Sequence, residues 1–237
     1  MAPMTLWGRI ADFVGGLATG SSAQAFLERV SGWIGTVSGR ETRRQIAFTI
    51  AMIALSAKMA KADGVVTADE ITAFKELFEI PEGQQRNIAR MFNLAKQDVA
   101  GYDAYARRLA RLLAEEPETL EDIVDGLFHI AKADGVVHEA ELAYLESVAG
   151  IFGLKAPCFD KIKTRHVADD NDPYVVLGAE RHWDFDALRS HYRRLVAENH
   201  PDRLVARGVP PEFVRIANDK LAAINAAWDQ IEMARAS

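Results

Sequence analysis

The residues of this chain that could do chemistry fall into three groups. The first is Cys158, the one thiol, with His129, His138 and His166. Their separations follow no zinc-ligand spacing, and no histidine–acid arrangement near Cys158 would make it a nucleophile. The second is two carboxylate pairs, Asp63 with Glu70 and Asp134 with Glu141. Clustered carboxylates suit a hard cation such as calcium, although the repeated acids that precede glycine in an EF-hand are missing. Thr67-Ala68-Asp69-Glu70 also fits a capping box, in which Glu70 folds back onto the N-cap amide. His138-Glu139-Ala140-Glu141 is a poorer version of that box and leaves Glu141 less explained. Capping is the simpler account of these acids, and a metal site is the alternative. The third group is His200-Pro201-Asp202, with Arg189, Arg193 and Arg194 upstream and Arg203 directly after. No glycine-rich phosphate loop ending in Lys-Ser/Thr is present, nor a Gly-x-Ser-x-Gly elbow. The chain is therefore expected to be no enzyme and to need no cofactor.

What positions the third group is a pair of helix-patterned segments. Phe185, Leu188, Tyr192, Leu195 and Val196 recur at helical spacing, with Arg189 and Arg193 on the opposite side. Pro201 should stop that helix, because it lacks an N–H and biases His200 away from α geometry. A polar loop then leads to Pro210-Pro211, where proline suits a first helical turn. The apolar face of the second helix is Phe213, Ile216, Ala217, Leu221, Ile224, Trp228 and Ile231. Two such helices joined by one connection form an antiparallel hairpin with His-Pro-Asp at its tip. Lys220 falls on the apolar face, where its stem can follow the core while the ammonium reaches the edge. Upstream, Asp172 to Gly178 reads as a short helix, with Asp172 as N-cap, Pro173 at the first position and Gly178 as the stop.

This order of short helix, arginine-bearing helix, His-Pro-Asp and long helix resembles the J domain of DnaJ-type co-chaperones over roughly residues 172–232. The matching stretches are DPYVVLG from Asp172, HYRRLVAENHPDR from His191 and KLAAINAAWDQI from Lys220. The insert Leu204 to Glu212 looks specifically like the J domain of the DjlA group. The resemblance implies that His200, Pro201 and Asp202 and the basic face of Arg193 and Arg194 dock on a DnaK-type chaperone, with Arg189 as an added contact. Glu198 and Asn199 stand where the family often has a basic residue and an aromatic, which weakens the positive field near the tip. Arg203 partly restores it.

Ahead of this region, helices are expected near 42–61, 67–79, 82–97, 101–114, 117–132 and 139–151, with breaks at Gly64, Pro81, Gly101, Pro117 and Gly135. The fold class is all-α. An internal repeat runs through this part: Lys61-Ala62-Asp63-Gly64-Val65-Val66 recurs unchanged at Lys132 to Val137. Each copy is an apolar helix, an Asp-Gly turn and a second helix, and two such hairpins can share one core. The paired KADGVV motifs, each followed by a glutamate, resemble the TerB-like domain. A TerB-like domain followed by a J domain is the arrangement of DjlA-like proteins.

Composition sets the outer limits. Of the 237 residues, 49% are hydrophobic and 26% charged, which is globular rather than disordered composition. A net charge of −6 and pI near 5.6 argue against general nucleic-acid binding. The longest charge-free windows, Phe13–Leu27 and Gln45–Ala57, are shorter than the roughly 20 apolar residues of a membrane-spanning helix. No signal peptide opens the chain, so a cytoplasmic location is expected, with peripheral contact at the inner membrane as the alternative. That contact would use Trp7, Phe13, Phe26 and Trp33 of residues 1–40, which otherwise pack on the next domain. The expected organisation is an N-terminal helical segment at 1–40, a TerB-like domain at 41–153, an acidic linker at 154–171 and a J domain at 172–237. The favoured function is a co-chaperone that stimulates a DnaK-type ATPase, with the TerB-like part localising it or recruiting client proteins. The competing function is a TerB-like adaptor at the envelope or in metal stress, with a J region that activates nothing.

Overall fold

The computed structural model describes residues 5–16, 26–62, 83–97, 101–167, 172–206, 209–210 and 214–236. Every regular element among them is helical, as the sequence pattern requires. The organising helix is α3 (Arg40–Ala62), expected near 42–61. Each residue from Ile46 to Ala60 is buried, so this helix is covered on all sides rather than along one stripe. Its polar residues are accommodated individually. Thr49 donates its hydroxyl hydrogen to the Gln45 carbonyl at 2.9 Å, and the Lys58 ammonium sits 5.0 Å from the centre of the Tyr105 ring. Among the described residues, no helix is long and apolar enough to cross a membrane.

Around α3 pack α4 (Gln85–Gln97), α5 (Tyr102–Leu112), α6 (Pro117–Ala131) and α7 (Glu139–Phe152). Helix α6 presents Leu120, Ile123, Val124, Leu127 and Phe128 to the core, and Pro117 occupies its first turn, where the missing N–H costs nothing. From α7 the Tyr144 hydroxyl donates to the Leu55 carbonyl at 2.8 Å, joining the second half of the repeat to the central helix. The second KADG turn closes as expected. Lys132–Asp134 forms one 3₁₀ turn, and Gly135 takes φ +99°, a conformation glycine adopts without a Cβ penalty. The first copy of the repeat, with Asp63, Gly64, Thr67 and Glu70, and the helix expected at 67–79 lie outside the described residues.

Helices α1 (Leu6–Gly16) and α2 (Phe26–Thr36) belong to the same body. Trp7, Ile10, Val14, Phe26, Val30 and Ile34 are buried in the core shared with α3, and Phe13 stacks on Trp33 with ring centres 4.4 Å apart. Their apolar faces are thus spent on protein packing, the first of the two roles considered for residues 1–40.

The expectation of an acidic linker over 154–171 is corrected by α8 (Ala156–His166). Phe159 and Ile162 of this helix enter the large core against α6, so burial overrides the polar look of the segment. Residues 168–171 lie outside the described set.

Beyond them come α9 (Pro173–Leu177), α10 (Phe185–Glu198), α11 (Pro201–Ala206) and α12 (Val214–Ala236). Asp172 caps α9 by accepting from the Tyr174 amide at 3.0 Å, and Gly178 ends it at φ +63°. Helices α9, α10 and α12 enclose a second, smaller core of Val176, Leu177, Leu188, Leu195, Ile224, Ala227, Trp228 and Ile231. Tyr192 lies parallel to Trp228 at 4.8 Å and caps that core from the side. The stretch after Asp202 was expected as a polar loop. Instead, Pro201 opens α11, occupying a first helical position as readily as it stops the helix before it.

Candidate functional site

Asp184 starts α10 by accepting from the Ala187 amide at 2.7 Å. The helix buries Leu188 and Leu195 and leaves Arg189, Arg193 and Arg194 exposed along its outer flank. Arg189 and Arg193 are four residues apart and so lie one above the other. Arg194 donates to His191 Nδ1 at 2.7 Å, so the Nε2–H of that ring is the one facing the Leu177 carbonyl at 2.8 Å. An arginine of the exposed face is thereby connected through one imidazole to α9. Glu198 Oε1 lies 3.9 Å from Arg194 Nε, a half-exposed ion pair that trims the positive field toward the tip.

Asn199 has a structural role that its sequence position did not reveal. It is buried, and its side-chain amide donates to the Leu195 carbonyl at 2.8 Å, satisfying one of the carbonyls orphaned at the end of α10. The chain then turns outward. The His200 carbonyl accepts from the amides of Arg203 at 2.9 Å and Leu204 at 3.2 Å, which makes His200 the N-terminal residue of α11. The Asp202 amide donates to His200 Nδ1 at 3.3 Å, and the Asp202 carboxylate lies 3.6 Å from that nitrogen. With Nδ1 accepting, the ring's Nε2–H is directed away from the backbone. The His200 side chain is 57% exposed and that of Asp202 93%. Histidine, proline and aspartate are thus held in a fixed local turn and shown to solvent together. Such a surface has donors, acceptors and positive charge for recognising a protein partner, and no enclosed reaction space.

Arg203 faces a different place. It lines a cleft of about 520 Å³ between the tip and the large bundle, together with Glu198, Glu118, Glu121, Lys161 and Lys220. Two contacts beside this cleft were not read from the sequence. Lys220 Nζ lies 3.3 Å from Asp122 Oδ1, and His129 Nδ1 lies 3.0 Å from Asp219 Oδ2; both join α12 to α6. Close by, Asp125 Oδ1 accepts from Arg165 at 3.0 Å and meets His166 Nε2 at 2.7 Å. Burial works to raise the Asp125 pKa, but Arg165, His166 and Lys220 together hold it well below the usual carboxylate range. His166, stacked on Phe128, is pushed below its ordinary value by burial, against the pull of its bond to Asp125.

Of the candidate cation ligands, Asp63 and Glu70 lie outside the described residues, as does the Asp134 side chain. Glu141 is buried, and its Oε2 accepts from the His138 amide at 3.0 Å, the reciprocal arm of a capping box. Among the described residues, no group of three or more His, Cys, Asp or Glu side chains is close enough to share a metal ion. Cys158 is half-buried, and desolvation beside Glu121 pushes its thiol up to about 11, the behaviour of an inert thiol.

Comparison with known proteins agrees with this geometry. Residues 49–164 match the family described as "Tellurite resistance protein TerB". The chain is 26% identical to the co-chaperone protein DjlA of Photobacterium profundum, over 84% of this chain and 82% of the relative. It is 27% identical to DjlA of Coxiella burnetii, over 75% and 73%. It is 25% identical to DjlA of Photorhabdus laumondii, over 97% and 98%. No solved structure matches the chain.

Proposed function

The chain is DjlA-like and carries a TerB domain, and from that premise we propose that it is a J-domain co-chaperone of a DnaK-type chaperone whose ATPase it stimulates. In this reading residues 172–237 are the J module, and the TerB-like part reaches from 41 through α8. The observation that carries the proposal is the tip. His200, Pro201 and Asp202 are intact, exposed and set in one turn, beside exposed Arg189, Arg193 and Arg194.

Each residue then has a task. The arginine flank of α10 steers an acidic surface of the partner toward the hairpin, raising the rate of encounter more than the final affinity. His200 offers its Nε2–H and Asp202 its carboxylate to the bound partner, and Pro201 fixes the backbone between them. The co-chaperone itself makes and breaks no bond. It favours the hydrolysing conformation of the partner by binding that state better than the other. The TerB-like part localises the protein or recruits clients.

The test is single-turnover ATP hydrolysis by the DnaK-type chaperone of the same organism, with the full chain added at increasing concentration. Saturable acceleration is expected. A flat response would leave the adaptor reading as the better account.

A further inference from the structure

Tip and bundle are not independent bodies. Leu204, Val209, Ile216 and Ala217 lie beyond His-Pro-Asp in the chain, yet all four belong to the large apolar core and none to the smaller core of α9, α10 and α12. Leu204 is two residues from Asp202 and is the one described buried residue of α11. A six-residue helix has no conformational stability of its own and takes its direction from what it packs on. The smaller core orients α10 and α12, but α11, which carries Pro201 and Asp202, is oriented through Leu204. Val209 fastens the far end of the same turn, its amide donating to the Leu204 carbonyl at 3.1 Å.

The bundle side of this junction is built for close approach. A Cβ added at Gly126 of α6 would fall 2.8 Å from Ile216 Cδ1 and 2.7 Å from Met52 Cε. The Lys220–Asp122 pair then fixes the register of α12 on α6, since both side chains are almost wholly withdrawn from solvent. A rotation of the hairpin on the bundle would have to part that pair and lift Ile216 off Gly126.

We propose that the TerB-like bundle is the positioning platform of the His-Pro-Asp tip: Leu204 and Ile216 are positioning residues that hold His200 and Asp202 in one orientation, so the partner's ATPase responds to bundle residues it never touches. This rests on the co-chaperone reading and adds a route by which events at the bundle reach the tip. Whatever binds the bundle and shifts α6 changes stimulation through α12 and α11.

The experiment is a double-mutant cycle in the full chain, read as maximal stimulation of the DnaK-type ATPase and as the concentration giving half of it. Gly126→Val places bulk against Ile216, and Ile216→Ala returns the space. Gly126→Val should lower maximal stimulation about fivefold or more, as in ordinary site-to-site coupling, while the half-maximal concentration, set by the arginine flank, moves little. Gly126→Val with Ile216→Ala should recover most of the loss, which a general loss of folded protein would not. If Gly126→Val fails to fold, Lys220→Glu alone and with Asp122→Lys repeat the cycle through the charge pair. Hydrogen exchange at the amides of residues 216–220 reports whether the junction has opened. Open junctions with undiminished stimulation overturn the proposal while leaving the co-chaperone reading standing. No stimulation by the unsubstituted chain overturns both.

Discussion

Lys220 Nζ and Asp122 Oδ1 are 3.3 Å apart, with 9% and 2% of their side chains exposed, and they join two helices that belong to different cores. A buried pair of this kind is costly to break from one side. Asp122→Ala leaves the ammonium without its counter-charge, and the expected loss is about 3–5 kcal/mol. Asp122→Leu with Lys220→Met removes both charges and should lie much closer to the unsubstituted protein. Urea unfolding of the three variants checks this. Equal losses in the single and double variants would show that the pair is not the contact that matters at this junction.

Acid should weaken the same region. The folded His166 pKa lies below its ordinary 6.5, so the unfolded chain takes up that proton first. The stabilisation is therefore complete above about pH 6.5 and is lost as pH falls through the depressed folded value. Asp125, whose folded pKa is also lowered, adds a second loss below its ordinary 3.8. The charged groups facing the imidazole are Asp125 on α6, Arg165 on its own helix and Lys132 after α6. Urea midpoints should fall between neutral pH and about pH 5, and more gently in His166→Gln, whose side chain does not titrate. An identical fall in both proteins would assign the effect elsewhere.

Glu141 should behave as a cap and not as a ligand. Glu141→Ala removes the acceptor of the His138 amide and should cost about 1 kcal/mol, as losing a cap does. Chelator treatment should leave the melting temperature where it is. A marked drop with chelator, restored by calcium or zinc, would contradict the capping account of this acid.

Much of this molecule is legible from local pattern. The 3.6-residue periodicity of α3, α6, α7 and α10, the Asp172 cap, the Gly135 turn and the placement of His200 all follow from signals that lie within a few residues of one another. What escapes is non-local. Lys220 and Asp122 are 98 residues apart, and Arg165 and Asp125 are 40 apart; nothing in either neighbourhood names its partner. Helix α8 was missed for a related reason. Its charged residues dominate a sequence window, while Phe159 and Ile162, three apart, are what the core selects. Helix α11 was read as loop because Pro201 signals a stop and a start equally well, and only the seat taken by Leu204 decides between them. Asn199 looked like a departure from the J-domain pattern, until its bond to the Leu195 carbonyl gave it a structural reason.

The arginine flank should act through its field. Arg193→Ala and Arg194→Ala should raise the concentration needed for half-maximal stimulation and make the remaining effect less salt-sensitive, because exposed charges are screened within about 10 Å at 0.1 M salt. Arg193→Glu with Arg194→Glu should be worse than either alanine variant, since it sets like charges against an acidic partner surface. ATP turnover at two ionic strengths separates these outcomes. Glutamate variants that match the alanine ones would argue against an acidic partner surface at this place.

The most direct test of the central claim is ATP turnover by the DnaK-type chaperone against increasing His200→Gln protein. The side chain is 57% exposed at a turn, so the substitution should change folding stability by no more than about 0.5 kcal/mol. The account predicts a well-folded protein that no longer stimulates. Full stimulation by a well-folded His200→Gln chain would contradict it.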